Sequence, residues 1–270
     1  MQLSTTHVAA ITGAGSGIGR ATALAFAAKG CRIAAIDVDE AAARETVRLV
    51  AERGGRATAH QADVRDLGQV EAAAAEVVEA HGACNIIVNN AGVTSAGSFE
   101  AEPMDDLRWL VDINVWGVVH GCRAFLPHLR AAGQGHIVNL SSMVGLVGLP
   151  HNVAYSMSKG AVRSFSEGLR SELIRSSIGL TVVFPGSINT NITAAARGAE
   201  AERLARLGRS RLAPLVLRKP SAVADAIVRG VERDRARMVV GPDAHVVSAI
   251  SRILPGRSGL VGRATSRIAR

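Results

Sequence analysis

From residue 7 onward, short runs of β-branched apolar residues alternate with alanine-rich stretches of helical length. This alternation is typical of βαβ units, in which helices cover both faces of a parallel sheet. The runs at Asn85–Asn89 and His136–Leu140 are short and largely apolar, as expected for strands buried on both faces. The pattern therefore predicts an α/β fold: a Rossmann-type, doubly wound parallel sheet of about seven strands with helices on both faces.

The predicted elements follow directly from these runs. The seven strands are predicted at His7–Thr12, Arg32–Asp37, Ala57–Ala62, Asn85–Asn89, His136–Leu140, Leu180–Phe184 and Met238–Val240. The helices are predicted at Arg20–Lys29, Glu40–Glu52, Leu67–Ala80, Leu107–Leu129 and Tyr155–Ser176. Gly30 and Gly82 stand where the C-terminal caps of the first and third helices belong.

A chain of 270 residues is long enough for one sizeable α/β core, and no internal repeat or low-complexity linker divides it. We therefore predict a single domain over residues 1–270. Within it, residues 187–220 are polar, arginine-rich and weakly periodic. A long excursion of this kind inside a compact domain is usually a lid or a binding loop, so residues 187–220 are predicted to form a substrate lid.

The net charge of +8 belongs to the C-terminal quarter of the chain. Residues 197–270 contain sixteen Lys and Arg against six Asp and Glu, whereas residues 1–196 contain fifteen against seventeen. The C-terminal quarter contains no Phe, Trp or Tyr that could stack on bases, so the charge argues little for nucleic-acid binding. No nucleic-acid partner is predicted.

Residues 243–270 are predicted to form a basic tail that opens with a short amphipathic helix over His245–Leu254. The apolar residues at helical spacing are Val246, Val247, Ile250, Ile253 and Leu254, and the arginines of the tail are Arg252, Arg257, Arg263, Arg267 and Arg270. The favoured hypothesis is that the helix docks on the body of the protein or on a second subunit. The alternative is a peripheral contact of helix and arginines with an anionic membrane surface.

The chain shows no sign of export or of metal binding. Its apolar stretches are too short to span a membrane, and Met1 to Ala10 lacks the basic start and apolar run of a secretory signal, which predicts a cytoplasmic protein. Cys31, Cys84 and Cys122 are far apart and form no CxxC or Cys/His cluster. We expect three small buried side chains and no metal site.

A glycine-rich turn lies between the first predicted strand and the first helix. Gly13, Gly17 and Gly19 form the pattern G-x-x-x-G-x-G, in which Ile18 breaks the more general G-x-G-x-x-G fingerprint. A helix N-terminus binds a nucleotide pyrophosphate through free backbone N–H groups, provided that no side chain blocks the approach. The turn therefore predicts a dinucleotide site.

Asp37 ends the second predicted strand, eighteen residues after Gly19. An acidic residue at this spacing accepts hydrogen bonds from the adenosine ribose and repels the additional phosphate of NADP. Ser16 and Val38 are not basic and could not neutralise that phosphate, so NAD is predicted over NADP. Asp39 is the alternative if the register of the strand is shifted.

Tyr155, the only tyrosine, and Lys159, one of three lysines, lie four residues apart on a predicted helix and so share one face. A nearby ammonium, reinforced by the positive ring of an oxidised nicotinamide, is expected to lower the pKa of the phenol from about 10. The pair would then be a usable general acid and base. Ser142 follows the strand before this helix.

Together these motifs resemble the short-chain dehydrogenase/reductase family over about residues 5–190. The residues that carry the resemblance are Thr12–Gly19, Asp63-Val64, Asn89–Gly92, Asn114, Ser142, Tyr155, Lys159, Pro185-Gly186 and Thr190. The resemblance implies a nicotinamide-dependent oxidoreductase that acts on a secondary alcohol or ketone. It also implies a homodimer or homotetramer formed through the helices that contain Asn114 and Tyr155.

The resemblance further implies the role of each residue. Tyr155 would be the general acid and base, Ser142 would stabilise the substrate oxygen, Lys159 would assist the phenol, and Asn114 would hold a relay water. The implied cofactor contacts are Gly13, Ser16, Gly17, Ile18, Gly19, Asp37, Asp63, Val64, Asn90, Ala91, Gly92, Tyr155, Lys159, Pro185, Gly186, Ile188 and Thr190.

The substrate pocket is expected to be apolar, which predicts a hydrophobic alcohol or ketone. Its expected lining is Met143 to Leu149, Val153 and Phe184, with His151 a residue that could touch substrate but is more often at the surface. A rival hypothesis is a catalytically idle NAD-binding regulatory protein on the same fold, because fold does not determine function. Loss of Tyr155, Lys159 or Ser142 would mark such a protein, and all three are present.

Overall fold

The computed structural model describes residues 1–189, 196–200, 202, 218–253 and 259. Its strands are β1 (Val8–Thr12), β2 (Arg32–Asp37), β3 (Ala57–Gln61), β4 (Ile86–Asn89), β5 (Gly135–Leu140), β6 (Ile178–Pro185) and β7 (Arg237–Val240). The α-helices of the described residues are α1 (Gly17–Ala28), α2 (Glu40–Ala51), α3 (Leu67–His81), α4 (Met104–Val111), α5 (Gly117–Ala131), α6 (Val153–Glu172), α7 (Pro220–Glu232) and α8 (Pro242–Ile253).

The strands form one parallel sheet in the order β3-β2-β1-β4-β5-β6-β7. The chain moves outward from β1 to β3 and then returns to the middle, where β4 pairs with the other side of β1. Ligands in open sheets of this kind bind at the carboxyl ends of the strands beside this reversal. The fold class predicted from the sequence is confirmed, and the topology places the expected site above β1 and β4.

Apolar side chains fill the space on each face of the sheet. On one face, Phe125 of α5 and Val162 of α6 pack on Ile87 and Ile137. On the other face, helices α1, α2 and α7 cover the strands, and Phe26 is fully buried there. Burial of both faces explains why the central strands are continuously apolar.

The three cysteines lie within these layers. Cys31, Cys84 and Cys122 are all buried, and burial raises the pKa of each thiol, to about 11 for Cys31 and about 12 for the other two. They therefore behave as small apolar side chains, as the sequence predicted.

Several predicted boundaries are wrong, and two of the errors have consequences. Helix α1 begins at Gly17, three residues before the predicted start, so the glycines belong to its first turn. The predicted helix Leu107–Leu129 consists of α4 and α5 joined by a π-helical segment, Asp112–Trp116. Periodicity alone did not indicate this segment, because a single π-helical turn is rare and too short to establish a period of its own.

Helix α7 was not predicted. It begins with Pro220 at its first position and buries Val223, Ile227 and Val231 against the sheet. A proline at the first helical position and apolar residues every four positions are helix signals. They lie at the end of the weakly periodic excursion and were overlooked there.

Helix α8 begins at Pro242, earlier than predicted, and packs beside β7 with Ala244 and Ser248 buried. Val246 and Ile253 remain exposed. This packing agrees with the hypothesis that the helix docks on the protein body, while the membrane hypothesis stays a prediction. Arg257, Arg263, Arg267 and Arg270 lie outside the described residues. Within the described part of the chain, no helix is both long and apolar enough to cross a bilayer.

Candidate active site

The glycine-rich turn connects β1 to α1 at the carboxyl edge of the sheet. Gly13 and Gly17 have φ angles of +64° and +51°, in the left-handed region that favours glycine. At Gly19 the requirement is space, because a Cβ atom there would lie 2.0 Å from the carbonyl oxygen of Gly13. The turn therefore folds back on the first turn of α1 so closely that only glycine fits.

Asn90 supports this turn from the neighbouring strand. Its side-chain amide donates to the carbonyl oxygens of Thr12 (2.9 Å) and Gly13 (3.2 Å). In return, the Thr12 hydroxyl accepts hydrogen bonds from the backbone N–H groups of Asn90 (3.0 Å) and Ala91 (3.1 Å). The two loops that follow β1 and β4 thus hold each other in place.

A cleft of about 480 Å³ opens above these loops. It brings together most of the predicted cofactor residues: Gly13, Ser16, Gly17, Ile18, Asp37, Asp63, Val64, Asn90, Ala91 and Gly92. The other lining residues belong to none of the predicted cofactor contacts; they are Val38, Ala62, Arg65, Val93, Trp109 and Ile113. Gly19 lies beneath the turn, where it provides clearance.

Asp37 faces this cleft from the end of β2. One carboxylate oxygen accepts a hydrogen bond from the Gly15 N–H at 2.8 Å, and the other accepts from the Asp39 N–H at 3.1 Å. Asp39 instead caps helix α2 by accepting from the Ala42 N–H. The carboxylate at the cleft is therefore that of Asp37, and the alternative assignment to Asp39 is not favoured by the structure.

Two arginines near the cleft are already engaged. Arg20 donates to the Gly15 carbonyl oxygen and to the Thr46 hydroxyl, at 3.0 Å for the latter. Arg65 forms an ion pair with Asp63 and lowers the pKa of that carboxyl, so Asp63 is charged. The arginine two positions after Asp63 was the signal that could have indicated this pair from the sequence.

Ser142, Tyr155 and Lys159 meet next to the carboxyl end of β5. Lys159 is buried, donates from Nζ to the Leu140 carbonyl oxygen at 3.0 Å, and lies 5.7 Å from the centre of the Tyr155 ring. A Cβ atom on Gly92 would lie 3.4 Å from the same Nζ, so the lysine borders the loop that follows β4. The predicted helix spacing thus brings the two side chains together.

Burial dominates the pKa values of the two groups. It raises the pKa of Tyr155 to about 12, and a hydrogen bond with Ser142 opposes this only in part. Burial also lowers the pKa of Lys159 to about 8. The expected lowering of the Tyr155 pKa involved an oxidised nicotinamide ring as well as Lys159, so it stays a prediction for the cofactor-bound protein.

Asn114 lies at the centre of the π-helical segment and is fully buried. Its side-chain oxygen accepts from the Val93 N–H and its amide donates to the Val93 carbonyl oxygen, both at 2.9 Å. The amide also donates to the Ser158 hydroxyl at 3.1 Å, and that hydroxyl donates to the Tyr155 carbonyl oxygen. Asn114 therefore joins the loop after β4 to the helix that carries Tyr155.

Pro185, Gly186 and Ile188 form the turn at the end of β6, outside the lining of the cleft described above. Thr190, predicted with them, lies outside the described residues. Phe184 does not line a pocket as predicted, because it is buried in the core and the Arg237 guanidinium covers its ring at 4.6 Å. Of the other predicted lining residues, Met143 to Leu149 and Val153, the groove contains Val144–Leu149 and Val153, together with Pro150, Ser156 and Met157.

Most of the predicted lid, residues 187–220, lies outside the described residues, but residues 196–200 are described and contact the body of the protein. The Arg197 guanidinium covers the Trp109 ring at 4.0 Å and forms an ion pair with Asp106 at 3.2 Å. Glu200 forms an ion pair with His151 at 2.8 Å. Arg197 is therefore engaged in attachment, and His151 contacts this segment.

The fold and the site together define a class: a Rossmann-type nucleotide-binding fold whose candidate site lies at the switch point of the sheet. Residues 7–201 match the family model described as short chain dehydrogenase. The chain belongs to the short-chain dehydrogenase/reductase family.

Three similar proteins agree with this assignment. Over 252 residues the chain is 44% identical to EphD of Mycobacterium tuberculosis, covering 91% of this chain and 43% of EphD, so it spans less than half of that relative. Over 249 residues it is 40% identical to SadH of the same organism, covering 92% and 90% of the two chains. Both names describe oxidoreductases. A short-chain dehydrogenase/reductase from Burkholderia phymatum, crystallised with NAD, superposes with a TM-score of 0.85 at 30% identity over 96% of each chain.

Proposed function

We propose that the protein transfers a hydride between NAD and the carbinol carbon of a hydrophobic secondary alcohol, or the reverse to a ketone. The observation that carries this proposal is the convergence of Ser142, Tyr155 and Lys159 beside the glycine-lined cleft. The NAD bound to the Burkholderia phymatum relative supports the choice of a nicotinamide cofactor.

The residues of the cleft fit a dinucleotide. Ser16 at the N-cap of α1 makes no side-chain hydrogen bond to the first turn, so the N–H groups at the start of this helix have no side-chain cap and could bind a pyrophosphate. Asp37 offers a carboxylate to the ribose hydroxyls at the other end of the cleft. A nicotinamide cofactor held there accepts or supplies the hydride.

The protein's own part is to move one proton and to hold the substrate oxygen. In alcohol oxidation, Tyr155 accepts the hydroxyl proton as the hydride leaves the same carbon, and in ketone reduction it returns that proton to the oxygen. Ser142 donates a hydrogen bond to the substrate oxygen and stabilises the charge that develops on it. Lys159 places a positive charge 5.7 Å from the phenol ring.

Lys159 and the oxidised nicotinamide ring act on the phenol in the same direction. Burial sets the pKa of Tyr155 at about 12 in the absence of that second charge. Tyr155 becomes a stronger acid when the positive ring adds its field to that of the ammonium. Without an oxidised cofactor, Tyr155 would therefore stay protonated. Its proton transfer would in this way be coupled to hydride transfer.

The groove beside the site supports a hydrophobic substrate. Its lining is Val144–Pro150 with Val153, Ser156 and Met157, of which Ser156 is polar. Val153 and Met157 are 43% and 49% exposed. Apolar walls with a few convergent polar groups favour an apolar ligand that carries one oxygen to be positioned. Screening secondary alcohols of increasing size for NADH formation tests the proposal directly.

The rival hypothesis, an idle NAD-binding regulatory protein, makes the opposite prediction for that screen. It expects NAD to bind without any turnover over the whole series of alcohols and ketones. Ser142, Tyr155 and Lys159 have no evident purpose in such a protein.

We also propose a homodimer or homotetramer through α5 and α6, because Trp116, just before α5, and Met157 of α6 expose about half of their surface.

We predict that Asp37→Ala abolishes a preference for NAD over NADP. The Asp37 carboxylate would accept hydrogen bonds from the ribose hydroxyls and repel the phosphate of NADP, and no free cation lines the cleft among the described residues. Dissociation constants of both cofactors, measured for wild type and variant, provide the test. Asp39→Ala is the matched control, because Asp39 caps α2 instead. Equal binding of NAD and NADP by the wild type would contradict the assignment.

We further propose that residues 187–220 act as a substrate lid that Arg197 attaches to the body. Arg197→Met keeps roughly the length of the side chain but removes the ion pair with Asp106 and the cation–π contact with the Trp109 ring. We predict that KM for the alcohol rises about fivefold, since the two lost interactions each contribute on the order of 0.5–1 kcal/mol. Arg175→Met, at an exposed position, should leave KM unchanged. An unchanged KM in Arg197→Met would show that the lid does not need this attachment.

A further inference from the structure

The turn after β6 is held by three of its own backbone N–H donors, those of Gly186, Ser187 and Asn189. The Gly186 N–H donates to the Val240 carbonyl oxygen at 2.8 Å, and the Ser187 N–H donates to a carboxylate oxygen of Asp243 at 2.7 Å. The Asn189 N–H donates to the Arg218 carbonyl oxygen at 2.9 Å. Only one of these three bonds uses a side chain, and that side chain is Asp243.

The remaining amide of the turn, that of Ile188, points elsewhere. Ile188 and Arg218 form a parallel bridge in which Arg218 bonds to Ser187 and Asn189 on either side. In a parallel bridge of this form, the N–H and C=O groups of the middle residue point away from the partner strand. The direction of the Ile188 N–H and C=O groups therefore depends on the hydrogen bonds that fix Ser187 and Asn189.

The surroundings of Asp243 are built around its carboxylate. A Cβ atom on Gly186 would lie 2.1 Å from Oδ1 of Asp243, and a Cβ on Gly241 would lie 2.5 Å from the same oxygen. Gly241 also has a φ angle of +110°. Asp243 stands in the first turn of α8, where the helix dipole stabilises a negative charge. The absence of a side chain at both Gly186 and Gly241 therefore leaves the space that the Asp243 carboxylate occupies. An aspartate that only faced solvent would not need this space.

We propose that Asp243 is a positioning residue: by holding the Ser187 amide, it directs the Ile188 backbone toward the nicotinamide end of the bound cofactor. The inference rests on the proposed use of a nicotinamide cofactor and on the family resemblance, which implies that Ile188 contacts the carboxamide of that cofactor. It assigns to the C-terminal helix α8 a part in the active site. Asp243 acts in this proposal through the backbone of Ser187 and Ile188, so its effect should be limited to ligands that contain the nicotinamide.

The experiment compares two ligands that differ only at that end. NAD contains the nicotinamide ring, whereas ADP-ribose ends at the ribose that would carry it. Titration calorimetry with wild type and Asp243→Ala is expected to show NAD affinity reduced about tenfold and ADP-ribose affinity changed less than about twofold. Asp243→Asn retains an acceptor oxygen and should restore NAD affinity. Asp225→Ala removes an exposed acid of α7 and should change neither constant.

A second variant tests the same geometry if Asp243→Ala does not fold. Gly186→Ala places a Cβ against the Asp243 carboxylate and should produce the same selective loss of NAD affinity. In the double variant Gly186→Ala/Asp243→Ala the new Cβ no longer meets a carboxylate. Compared with Asp243→Ala alone, the double variant should therefore lose little further NAD affinity.

The outcomes separate this inference from the proposed function. If the wild type binds neither NAD nor ADP-ribose, the proposed function is wrong and the inference falls with it. A second outcome is that the wild type binds both ligands while the Asp243 and Gly186 variants lose affinity for the two ligands equally, or for neither of them. In that case the proposal of a nicotinamide cofactor is retained and the positioning role of Asp243 is overturned. Selective loss of NAD affinity, restored by Asp243→Asn, supports it.

Discussion

Tyr155→Phe is expected to lower kcat for alcohol oxidation by a hundredfold to ten-thousandfold, with NAD binding almost unchanged. The ring of phenylalanine fills the same space beside Lys159, but it carries no proton to exchange with the substrate oxygen. Positioned general acids and bases contribute on the order of 10²–10⁴ in rate. Single-turnover NADH formation on a substrate found in the alcohol screen measures the loss, and calorimetry with NAD confirms that the cleft is intact.

The pH dependence of the same reaction gives an independent check. Oxidation needs the phenolate of Tyr155, whose pKa is raised by burial and lowered by an oxidised nicotinamide ring beside it, so kcat/KM for oxidation should rise with pH until the phenol of the cofactor-bound enzyme is ionised. The pKa of Lys159 is about 8, so loss of the ammonium above that pH should flatten the rise. Tyr155→Phe should remove the dependence. Near-normal, pH-dependent turnover in this variant would contradict the mechanism.

Gly19→Ala is expected to reduce NAD affinity by about ten- to a hundredfold. The new Cβ would lie 2.0 Å from the Gly13 carbonyl oxygen and 2.6 Å from the Asn90 amide nitrogen, so the whole turn must move. Forcing additional atoms into a packed site costs on the order of 1–3 kcal/mol, which corresponds to this range of affinity. NAD and ADP-ribose should both lose affinity, because the turn serves the pyrophosphate that they share.

Gly168→Ala is the matched control for that experiment. Gly168 lies within α6, and a Cβ at this position meets no atom within 4 Å. Alanine is the better helix former, so this variant should bind NAD normally and melt at an equal or slightly higher temperature. If Gly19→Ala also bound NAD normally, the turn would not be the pyrophosphate site.

Much of the candidate site could be predicted because its parts are local in sequence. A strand followed by closely spaced glycines and a helix specifies the turn at Gly13–Gly19, and a spacing of four residues on a helix places Tyr155 above Lys159. Asp37 was located because it ends a strand of clear periodicity. In each case a backbone geometry with a fixed period converts sequence distance into spatial distance.

The residues that were missed interact across long stretches of chain. Arg197 and Asp106 are separated by 91 positions, and Asp243 and Ser187 by 56. No periodicity relates such partners, since their approach depends on strand order and on the path of loops. The π-helical segment at Asp112–Trp116 was missed for a related reason: the pairing of Asn114 with the backbone of Val93 accompanies it, and Val93 lies in another loop.

The electrostatics of the site show the same division. From residue types and spacing, Lys159 together with an oxidised nicotinamide ring was expected to lower the pKa of Tyr155. Packing adds an effect in the opposite direction, because burial raises the pKa of the phenol and lowers that of the ammonium. Desolvation depends on every atom that surrounds a group, so it cannot be obtained from the two residues that interact.

The sequence by itself determined the fold class, the glycine turn, and the helix that joins Tyr155 to Lys159, because short-range backbone geometry and apolar periodicity encode them. Only the tertiary structure decided which face of α8 is buried, how Arg197 attaches residues 196–200, and that Asp243 bonds to the turn after β6. These features require distant segments to be in contact, and contact between distant segments is a property of the packed sheet and helices as a whole.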